Sequence, residues 1–329
     1  MEFVRTLKDL SKNDVLRAGG KGASLGEMVQ AGIPVPGGFV VLTDAFNYFL
    51  EKNALTTQVA SVLASVDSTD STAVETASIT IRTLLESQSM PHEIAAAIHT
   101  EFDSLQSTFV AVRSSATAED GAAHAWAGQL DSFLNVSKED VYIQVIRCWS
   151  SLFTPRAIFY RHEKGLSTTL VSVAVVIQKM VNAEKSGIAF SVHPVTENKN
   201  HIIIEAGLGL GEAIVSGSIT PDSYVVEKDT GTVVNTTVNT QKRALYRGAN
   251  GGNEWITLSP AIASAQVLTA NEISELSELV KKIETHYGCP QDIEWAYESG
   301  KFYIVQSRPI TTLKEKLIAQ PKSQFVSPE

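Results

Sequence analysis

Residues 292–309 read DIEWAYESGKFYIVQSRP, and this stretch decides the fold of the 329-residue chain. Two short runs rich in aromatic and β-branched residues flank a turn that contains Gly300, which is typical of a β-hairpin. A loop of residues 299–301, with Gly300 at positive φ, would set the register of the two strands. Because side chains alternate along a strand, that register decides which of them share a face.

One face of the hairpin gathers polar groups at one end. The register pairs Asp292 with Arg308 and Glu294 with Gln306, so two carboxylates, a carboxamide and a guanidinium share that face. Carboxylate and amide oxygens suit Mg²⁺, and a guanidinium fork suits phosphate. The alternative is a cross-strand salt bridge on a solvated edge. The opposite face, a natural core face, is predicted to hold Ile293, Trp295, Tyr297, Tyr303 and Val305.

The composition argues against several classes of protein. The apolar fraction of 43% supports an ordinary core, in two domains or one bilobed domain. The net charge of −9 comes with no basic block, which argues against a nucleic-acid surface. No apolar run is long enough to cross a bilayer, and the N-terminus lacks a signal-peptide layout. Cys148 and Cys289 fit neither a disulfide framework nor a metal spacing, so a cytoplasmic location is predicted.

Two stretches are suited to binding an anion. Residues 18–25 read AGGKGASL and come before a helical pattern, so Lys21 adds a positive charge to a glycine-rich helix start, although the Walker A spacing is absent. Arg113 ends a predicted strand and enters a loop rich in hydroxyl groups. Both have plainer explanations, since glycines before a helix also serve turns and Arg113 could pair with Glu119 or Asp120.

The most apolar run, residues 170–180, is predicted to form a buried central strand. Its end, residues 178–181, suits a hinge whose backbone groups bind the edge of a flat aromatic ligand, although any buried strand must end in something polar. Residues 206–213 place alternating glycines between a strand and a helix, which resembles a phosphate-facing loop. Mixed helices and strands, with antiparallel hairpins near the end, predict an α+β fold.

Eight short motifs together resemble a known family. They occur in the order found in the N-terminal nucleotide-binding domain shared by phosphoenolpyruvate synthase, pyruvate phosphate dikinase and rifampicin phosphotransferase, and the similarity covers roughly residues 3 to 312. In this sequence the motifs are GGKG (19–22), PVPGGF (34–39), VRSSA (112–116) followed by Glu119 and Asp120, AGQ (127–129), QKMV (178–181), EAGLGLGE (205–212), DIEW (292–295) and QSRP (306–309).

The resemblance implies an ATP-grasp fold, in which two α+β lobes close over ATP. The N-terminal lobe is expected at residues 1–190 and the C-terminal lobe at 191–313. Residues 314–329 have little apolar pattern and are predicted to be a linker or tail.

The resemblance also implies a set of site residues. Phosphates of ATP would be bound and acted on by Lys21, Arg113 and Arg308. The adenine pocket would be lined by Gln178, Lys179, Met180 and Val181, and the nucleotide site would also include Gly128, Ser132 and Glu205. Mg²⁺, or Mn²⁺, would be held by Glu294 and Gln306, with Asp292 beside them.

The activity implied is that of a dikinase, which splits ATP to AMP and phosphate and phosphorylates a histidine on a swivelling domain. An acceptor-binding domain would complete the enzyme, in the same chain or in a partner. No histidine here has the family's glycine-rich setting, and His124 and His193 are predicted to be surface residues. Phosphoenolpyruvate synthase is the favoured member. The alternatives are the ATP-binding part of an antibiotic or phenol phosphotransferase, and a non-catalytic nucleotide sensor.

Overall fold

The computed structural model describes residues 1–310, apart from residues 68, 118–119, 122–123, 126–129, 164–171 and 250; of residues 120, 121, 124 and 125 it describes the backbone alone. Several predictions therefore fall outside the described residues: the role of Gly128, the setting of the His124 side chain, the pairing of Arg113 with Glu119 or Asp120, and the linker at 314–329.

The strands are, in chain order, β1 (Val4–Thr6), β2 (Gly38–Val41), β3 (Val110–Ala116), β4 (Asp120–Gly121), β5 (His124–Ala125), β6 (Ser132–Val136), β7 (Val173–Lys179), β8 (Lys185–Phe190), β9 (His201–Leu208), β10 (Asp222–Glu227), β11 (Val233–Thr237), β12 (Arg243–Arg247), β13 (Asn253–Thr257), β14 (Gln291–Glu298) and β15 (Lys301–Pro309). The helices are α1 (Val15–Gln30), α2 (Thr43–Lys52), α3 (Thr56–Ser65), α4 (Ser71–Glu86), α5 (His92–Ser104), α6 (Val141–Ser150), α7 (Pro155–Glu163), α8 (Glu212–Val215), α9 (Pro260–Ala263) and α10 (Ala270–Tyr287), with short 3₁₀ helices at Leu7–Asp9, Lys12–Asp14 and Ser151–Phe153.

Two antiparallel sheets organise these elements. The first has the strand order β1-β2-β7-β3-β6, and β7, the predicted central strand, lies in its middle with six of its seven residues buried. The second has the order β11-β10-β9-β8-β14-β15, and β12 and β13 form a separate two-stranded ribbon. Antiparallel sheets combined with helices confirm the predicted α+β class. Among the described helices, none is long and apolar enough to cross a membrane.

The chain passes from the first sheet to the second between Lys179 and Lys185. Strand β8 therefore belongs to the second sheet. The lobe boundary expected from the sequence, after residue 190, would assign β8 to the N-terminal lobe. A polar stretch, NAEKSG at residues 182–187, lies at this change, but a turn within one lobe has the same composition, so the sequence alone does not mark it as a boundary. A division near residue 182 fits the sheets better.

Two apolar clusters hold the layers together. One face of the first sheet packs against helices α2 to α7, in a cluster that includes Phe46 and Trp149. Its other face, with α1, packs against the second sheet and α10, in a cluster that includes Val176 and Trp295. Because this second cluster takes residues from both sheets, they share a core where they meet.

The hairpin of β14 and β15 differs from the predicted one at its tip. The turn has two residues, Ser299 and Gly300, whose φ angles of 51° and 79° are the positive values that tight hairpin turns favour. This shorter turn shifts the register by one residue. A bulge opposite Glu294 and Trp295, in which Val305 is the extra residue, shifts it back.

The bulge explains which predictions about the hairpin hold. Asp292 does face Arg308, and Glu294 does face Gln306, as predicted. The prediction for the apolar face was wrong for Tyr303 and Val305, which pack around Ala296 instead. The core face shared with Ile293 and Trp295 is completed by Phe302 and Ile304.

Candidate functional site

A cavity of about 530 Å³ lies between the two sheets. Strands β3, β6 and β7 contribute to it from the first sheet, and β8, β14 and β15 contribute from the second. Ten of the predicted site residues line it: Lys21, Arg113, Ser132, Gln178, Lys179, Met180, Val181, Glu294, Gln306 and Arg308. These residues come from distant parts of the sequence, and the fold brings them to one place.

Lys21 reaches the cavity because α1 is interrupted just before it. Gly19 has φ 69° and ψ 173°, so the helix restarts at this point. A Cβ atom on Gly19 would lie 2.1 Å from the Ser115 carbonyl oxygen, which only glycine can tolerate. The Ser115 hydroxyl donates to the Ala18 carbonyl at 2.9 Å and accepts from the Gly22 amide at 3.1 Å. The first sheet thereby fixes the backbone on both sides of Lys21.

Arg113 joins the two sheets across the cavity. It leaves β3 of the first sheet and is 8% exposed. Its Nη1 donates to the Val305 carbonyl oxygen at 2.6 Å, and its Nη2 donates to Gln306 Oε1 at 2.7 Å and to Glu294 Oε2 at 3.1 Å. The carboxylate and the amide oxygen thus converge on one positively charged nitrogen. The pair predicted to bind a metal therefore accepts hydrogen bonds from a guanidinium in this structure.

Asp292 and Arg308 form a cross-strand salt bridge, which was the alternative to a ligand site that the sequence allowed for this pair. Arg308 donates to Asp292 Oδ2 from Nε at 2.9 Å, and its Nη2 lies 2.8 Å from the same oxygen. Asp292 does not line the cavity, and neither does Glu205, whereas Arg308 does. Burial raises the pKa of Asp292, against the opposing effect of Arg308, and burial also raises the pKa of Glu205 with a further contribution from Asp292. Asp292 therefore pairs with Arg308, while the charge of Glu294 also acts on Asp292, and the predicted roles of Asp292 and Glu205 at the site stay predictions.

We expect Asp292→Asn to reveal the raised pKa of Asp292 in the stability of the protein. The pKa of Asp292 is higher in the native state than its ordinary value of 3.8, so the native state holds this proton more tightly than the unfolded state does. The free energy of unfolding therefore falls as the pH rises from 3.8 through the native pKa. The amide of the variant cannot titrate, so the melting temperature of the variant, relative to wild type, should rise over that window. Calorimetric melts from about pH 3.5 upward measure it.

The matched control for that measurement is Asp229→Asn, which changes an exposed carboxylate in a surface turn. Its melting temperature relative to wild type should stay level over the same pH range. A similar rise in both variants, or a fall in the Asp292 variant, would contradict the assignment.

One wall of the cavity is apolar. Val181, Ala183, Leu210 and Ala296 form a buried cluster there, and Met180 packs against it. This wall is suited to a flat aromatic group, and it lies at the end of β7, where the sequence predicted such a site. The Lys179 amide donates to Gly37 and the Met180 amide to Phe109, so these two donors serve the fold.

Glu212 lines the cavity although its sequence did not mark it as a site residue. The glycine-rich loop 206–213 was predicted to face phosphate, but it brings a carboxylate and the apolar Leu210 to the cavity. Glu212 Oε2 accepts from Asn253 Nδ2 at 2.6 Å, and Asn253 Oδ1 accepts from Asn135 Nδ2 at 2.8 Å. The β12–β13 ribbon thereby links the first sheet to this loop. The motif EAGLGLGE at residues 205–212 ends in Glu212 and could have indicated this residue, but its glycines were interpreted as a phosphate-facing loop.

Comparison with known proteins identifies the family. Residues 15–327 match the model of the pyruvate phosphate dikinase AMP/ATP-binding domain. The chain is 45% identical over 322 residues to a probable phosphoenolpyruvate synthase of Methanocaldococcus jannaschii, covering 96% of this chain and 27% of the relative. It is 41% identical over 374 residues to phosphoenolpyruvate synthase of Pyrococcus furiosus, covering 99% and 46%.

A third relative has another name. The rifampicin phosphotransferase of Bacillus cereus is 39% identical over 314 residues, covering 94% of this chain and 36% of that protein. The chain thus spans between 27% and 46% of the length of these three relatives. Since the family model matches nearly the whole chain, this protein belongs to the pyruvate phosphate dikinase AMP/ATP-binding domain family.

Proposed function

We propose that this chain is the ATP-binding part of a dikinase and that ATP binds in the cavity between the two sheets. The observation that carries the proposal is the division of the cavity into two ends. Lys21, Arg113 and Arg308 line it beside Glu294 and Gln306, while its other wall is apolar. A nucleotide has the same division, with charged phosphates at one end and a flat base at the other.

The base would lie against the apolar wall, close to Met180 and Val181. The Val181 amide donates to no other described residue, and its position at the end of β7 makes it available to the edge of an adenine ring. Glu212 lies along the same cavity, and a carboxylate is a strong acceptor for the hydroxyl groups of a ribose. The chain would therefore position each part of the nucleotide with a different element.

The phosphates would lie among Lys21, Arg113 and Arg308. These side chains hold and orient the phosphates, because phosphoryl transfer depends on positioning and on neutralising charge. Glu294 and Gln306 would hold Mg²⁺ or Mn²⁺, which supplies further charge neutralisation when bound. The described residues contain no cluster of three or more His, Cys, Asp or Glu side chains suited to a metal, so phosphate oxygens would complete the coordination.

We further propose that the two sheets are the lobes of an ATP-grasp fold and close over the nucleotide. The first sheet carries Arg113 and the end of β7, where the adenine would bind, and the second sheet carries Glu294, Gln306 and Arg308. A nucleotide held by both would draw them together. Closure would also exclude water from the phosphates, which suppresses hydrolysis.

The reaction we propose consumes ATP and one water: the β-phosphoryl group passes to a histidine of a swivelling domain, water accepts the γ-phosphoryl group to give phosphate, and AMP is the remaining product. That domain, and an acceptor-binding domain, would be supplied in the same polypeptide or by a partner subunit. Pyruvate is the favoured acceptor, because the relatives named phosphoenolpyruvate synthase have 41% and 45% identity. An antibiotic acceptor is the second candidate, because a rifampicin phosphotransferase follows at 39%.

We expect this chain to bind ATP strongly only in the presence of a divalent cation. The phosphates and Glu294 repel each other unless a cation lies between them, so the dissociation constant should rise at least tenfold in EDTA, about 1.4 kcal/mol. Isothermal titration calorimetry with ATP, in Mg²⁺ and then in EDTA, measures this change.

The variant Glu294→Gln should reduce the effect of Mg²⁺, while Glu298→Gln, in the same hairpin but outside the cavity lining, should retain it. Equal ATP affinity in Mg²⁺ and in EDTA for the wild-type chain would contradict the metal assignment. No binding of ATP under either condition would contradict the proposed function itself.

A further inference from the structure

We propose that the Arg113 guanidinium is the resident cation of the Glu294–Gln306 pair when no nucleotide is bound. A divalent cation could then enter the pair only after a nucleotide has drawn Arg113 away. The order of binding, nucleotide before metal, rests on the proposed function. The contact of Arg113 with Glu294 and Gln306 is a feature of the structure.

The contact occupies one oxygen of each side chain of the pair, Glu294 Oε2 and Gln306 Oε1. Nη2 of Arg113 lies 2.7 Å from Gln306 Oε1 and 3.1 Å from Glu294 Oε2, so one nitrogen bridges both side chains. Each oxygen therefore already faces a positive group from the direction of the cavity. A metal ion bound to the same two oxygens would lie in contact with the guanidinium, and the two positive charges would repel each other.

Burial strengthens this exclusion. The Arg113 side chain is 10% exposed and that of Glu294 is 26% exposed, so water screens the repulsion between two cations only weakly. An arginine does not lose its proton in a protein, so Arg113 cannot make room by becoming neutral. It must move its head group before another cation can enter.

A triphosphate can supply the reason for that movement. Among the described residues, Arg113 also contacts the Val305 carbonyl oxygen, at 2.6 Å, on the bulged residue of β15. Phosphate oxygens carry full charges and accept the two arms of a guanidinium together, so they are better acceptors than a carbonyl and a neutral amide. The nucleotide would take Arg113 and leave Glu294 and Gln306 to a metal.

The contact has a second consequence, because Arg113 and its three acceptors lie on different sheets. Without nucleotide, Arg113 ties the first sheet to β14 and β15 at the cavity. With nucleotide, the same arginine would bind the phosphates, and the metal and phosphates would join the sheets in its place. The chain would thereby keep the acidic pair from collecting free divalent cations when no ATP is bound.

The test is a titration of the nucleotide-free protein with Mn²⁺, followed by the loss of the free-ion signal in electron paramagnetic resonance. Wild-type protein should bind Mn²⁺ weakly at this site. Arg113→Gln and Arg113→Met, whose folding is checked by thermal melts, should each bind one Mn²⁺ at least tenfold more tightly. A second change, Glu294→Gln, should remove that gain.

The matched control is Lys179→Gln. It removes the same charge from the lining of the same cavity, and none of the described contacts of Lys179 involves Glu294, Gln306 or Asp292. No gain in Mn²⁺ affinity is expected. An equal gain in this variant would show that net charge alone is responsible, and it would overturn the proposal.

Tight Mn²⁺ binding by nucleotide-free wild-type protein would also overturn it, and that measurement needs no variant to fold. A folded Arg113 variant without any gain would do the same. Because no nucleotide is present in these titrations, their outcome is separate from the calorimetric test of ATP binding. Wild-type protein that fails to bind ATP would refute the proposed function while the Arg113 contact could still be shown.

Discussion

Replacing Gly187 by alanine is expected to destabilise the protein strongly. Gly187 lies in β8, between β9 and β14, at the centre of the second sheet. A Cβ atom here would lie 1.8 Å from the Glu205 carbonyl oxygen and 2.8 Å from the Trp295 ring. The first neighbour is backbone in the adjacent strand, so the sheet itself must move. We expect a loss of about 3 kcal/mol in the free energy of unfolding, at the upper end for overpacking.

Gly211→Ala is the matched control for that substitution. Gly211 also lines the cavity, but its φ is −60° and the nearest atom to an added Cβ is Ser186 Oγ at 3.6 Å, an ordinary contact. We expect a change within about 0.5 kcal/mol. Thermal melts should separate the two variants by roughly 5 to 10 °C. Equal melting temperatures would show that β8 and β9 are not packed as closely as described.

The second large effect concerns phosphoryl transfer. Incubated with ATP that carries a radioactive β-phosphorus, this chain alone is expected to acquire no label, and slow hydrolysis by water is the only turnover expected. A transferred phosphoryl group needs a nucleophile in line with the bond that breaks, and the described lining of the cavity contains no histidine. His193 lies in a turn, where its Nδ1 accepts from the Val195 and Thr196 amides.

Adding a histidine-bearing domain as a separate polypeptide should start AMP formation and place the label on that domain. A detached domain lacks the effective concentration of a tethered one, which is roughly millimolar for a flexible linker, so the reaction at micromolar protein should be slow. The deciding result is therefore which polypeptide carries the label.

Two variants of this chain test which residues the labelling of the added domain requires. Lys21→Ala should abolish label on the added domain, because Lys21 lines the cavity at the end where we propose that the phosphates bind. His124→Gln should leave the labelling unchanged. Acid-labile, base-stable label on this chain, lost in the His124 variant, would make His124 an acceptor and would contradict the scheme.

The polar pairs of the hairpin could be predicted from sequence because they depend on local rules. Alternation along a strand and a glycine turn were enough to place Asp292 opposite Arg308 and Glu294 opposite Gln306. The apolar face could not be predicted correctly, since a bulge has no reliable signature in a single sequence. The turn and the bulge at Val305 shift the register by one residue in opposite directions. The predicted pairs were therefore correct at the polar end of the hairpin and wrong at its tip.

The contacts of Arg113 were beyond any local rule. It lies 181 residues from Glu294 and 193 from Gln306, so only the packing of two sheets brings them together. The resemblance to a family indicated that these residues share a site, but not that they touch each other without nucleotide. Glu212 was missed for a related reason, because its position depends on how the loop after β9 turns toward the cavity.

The bulge at Val305 makes the site depend on the number of residues as well as on their identity. Deleting one residue between Gly300 and Gln306 would remove the bulge and leave Gln306 opposite Glu294 in a regular ladder. Deleting two would change the parity of β15 beyond them, so that Gln306 and Arg308 would point into the apolar core and Ser307 into the cavity. Every site residue would still be present in such a sequence, and a search for motifs would find them all. When relatives of this chain are aligned, a gap of two residues in this short interval therefore predicts loss of the proposed nucleotide site, whereas a gap of one residue does not.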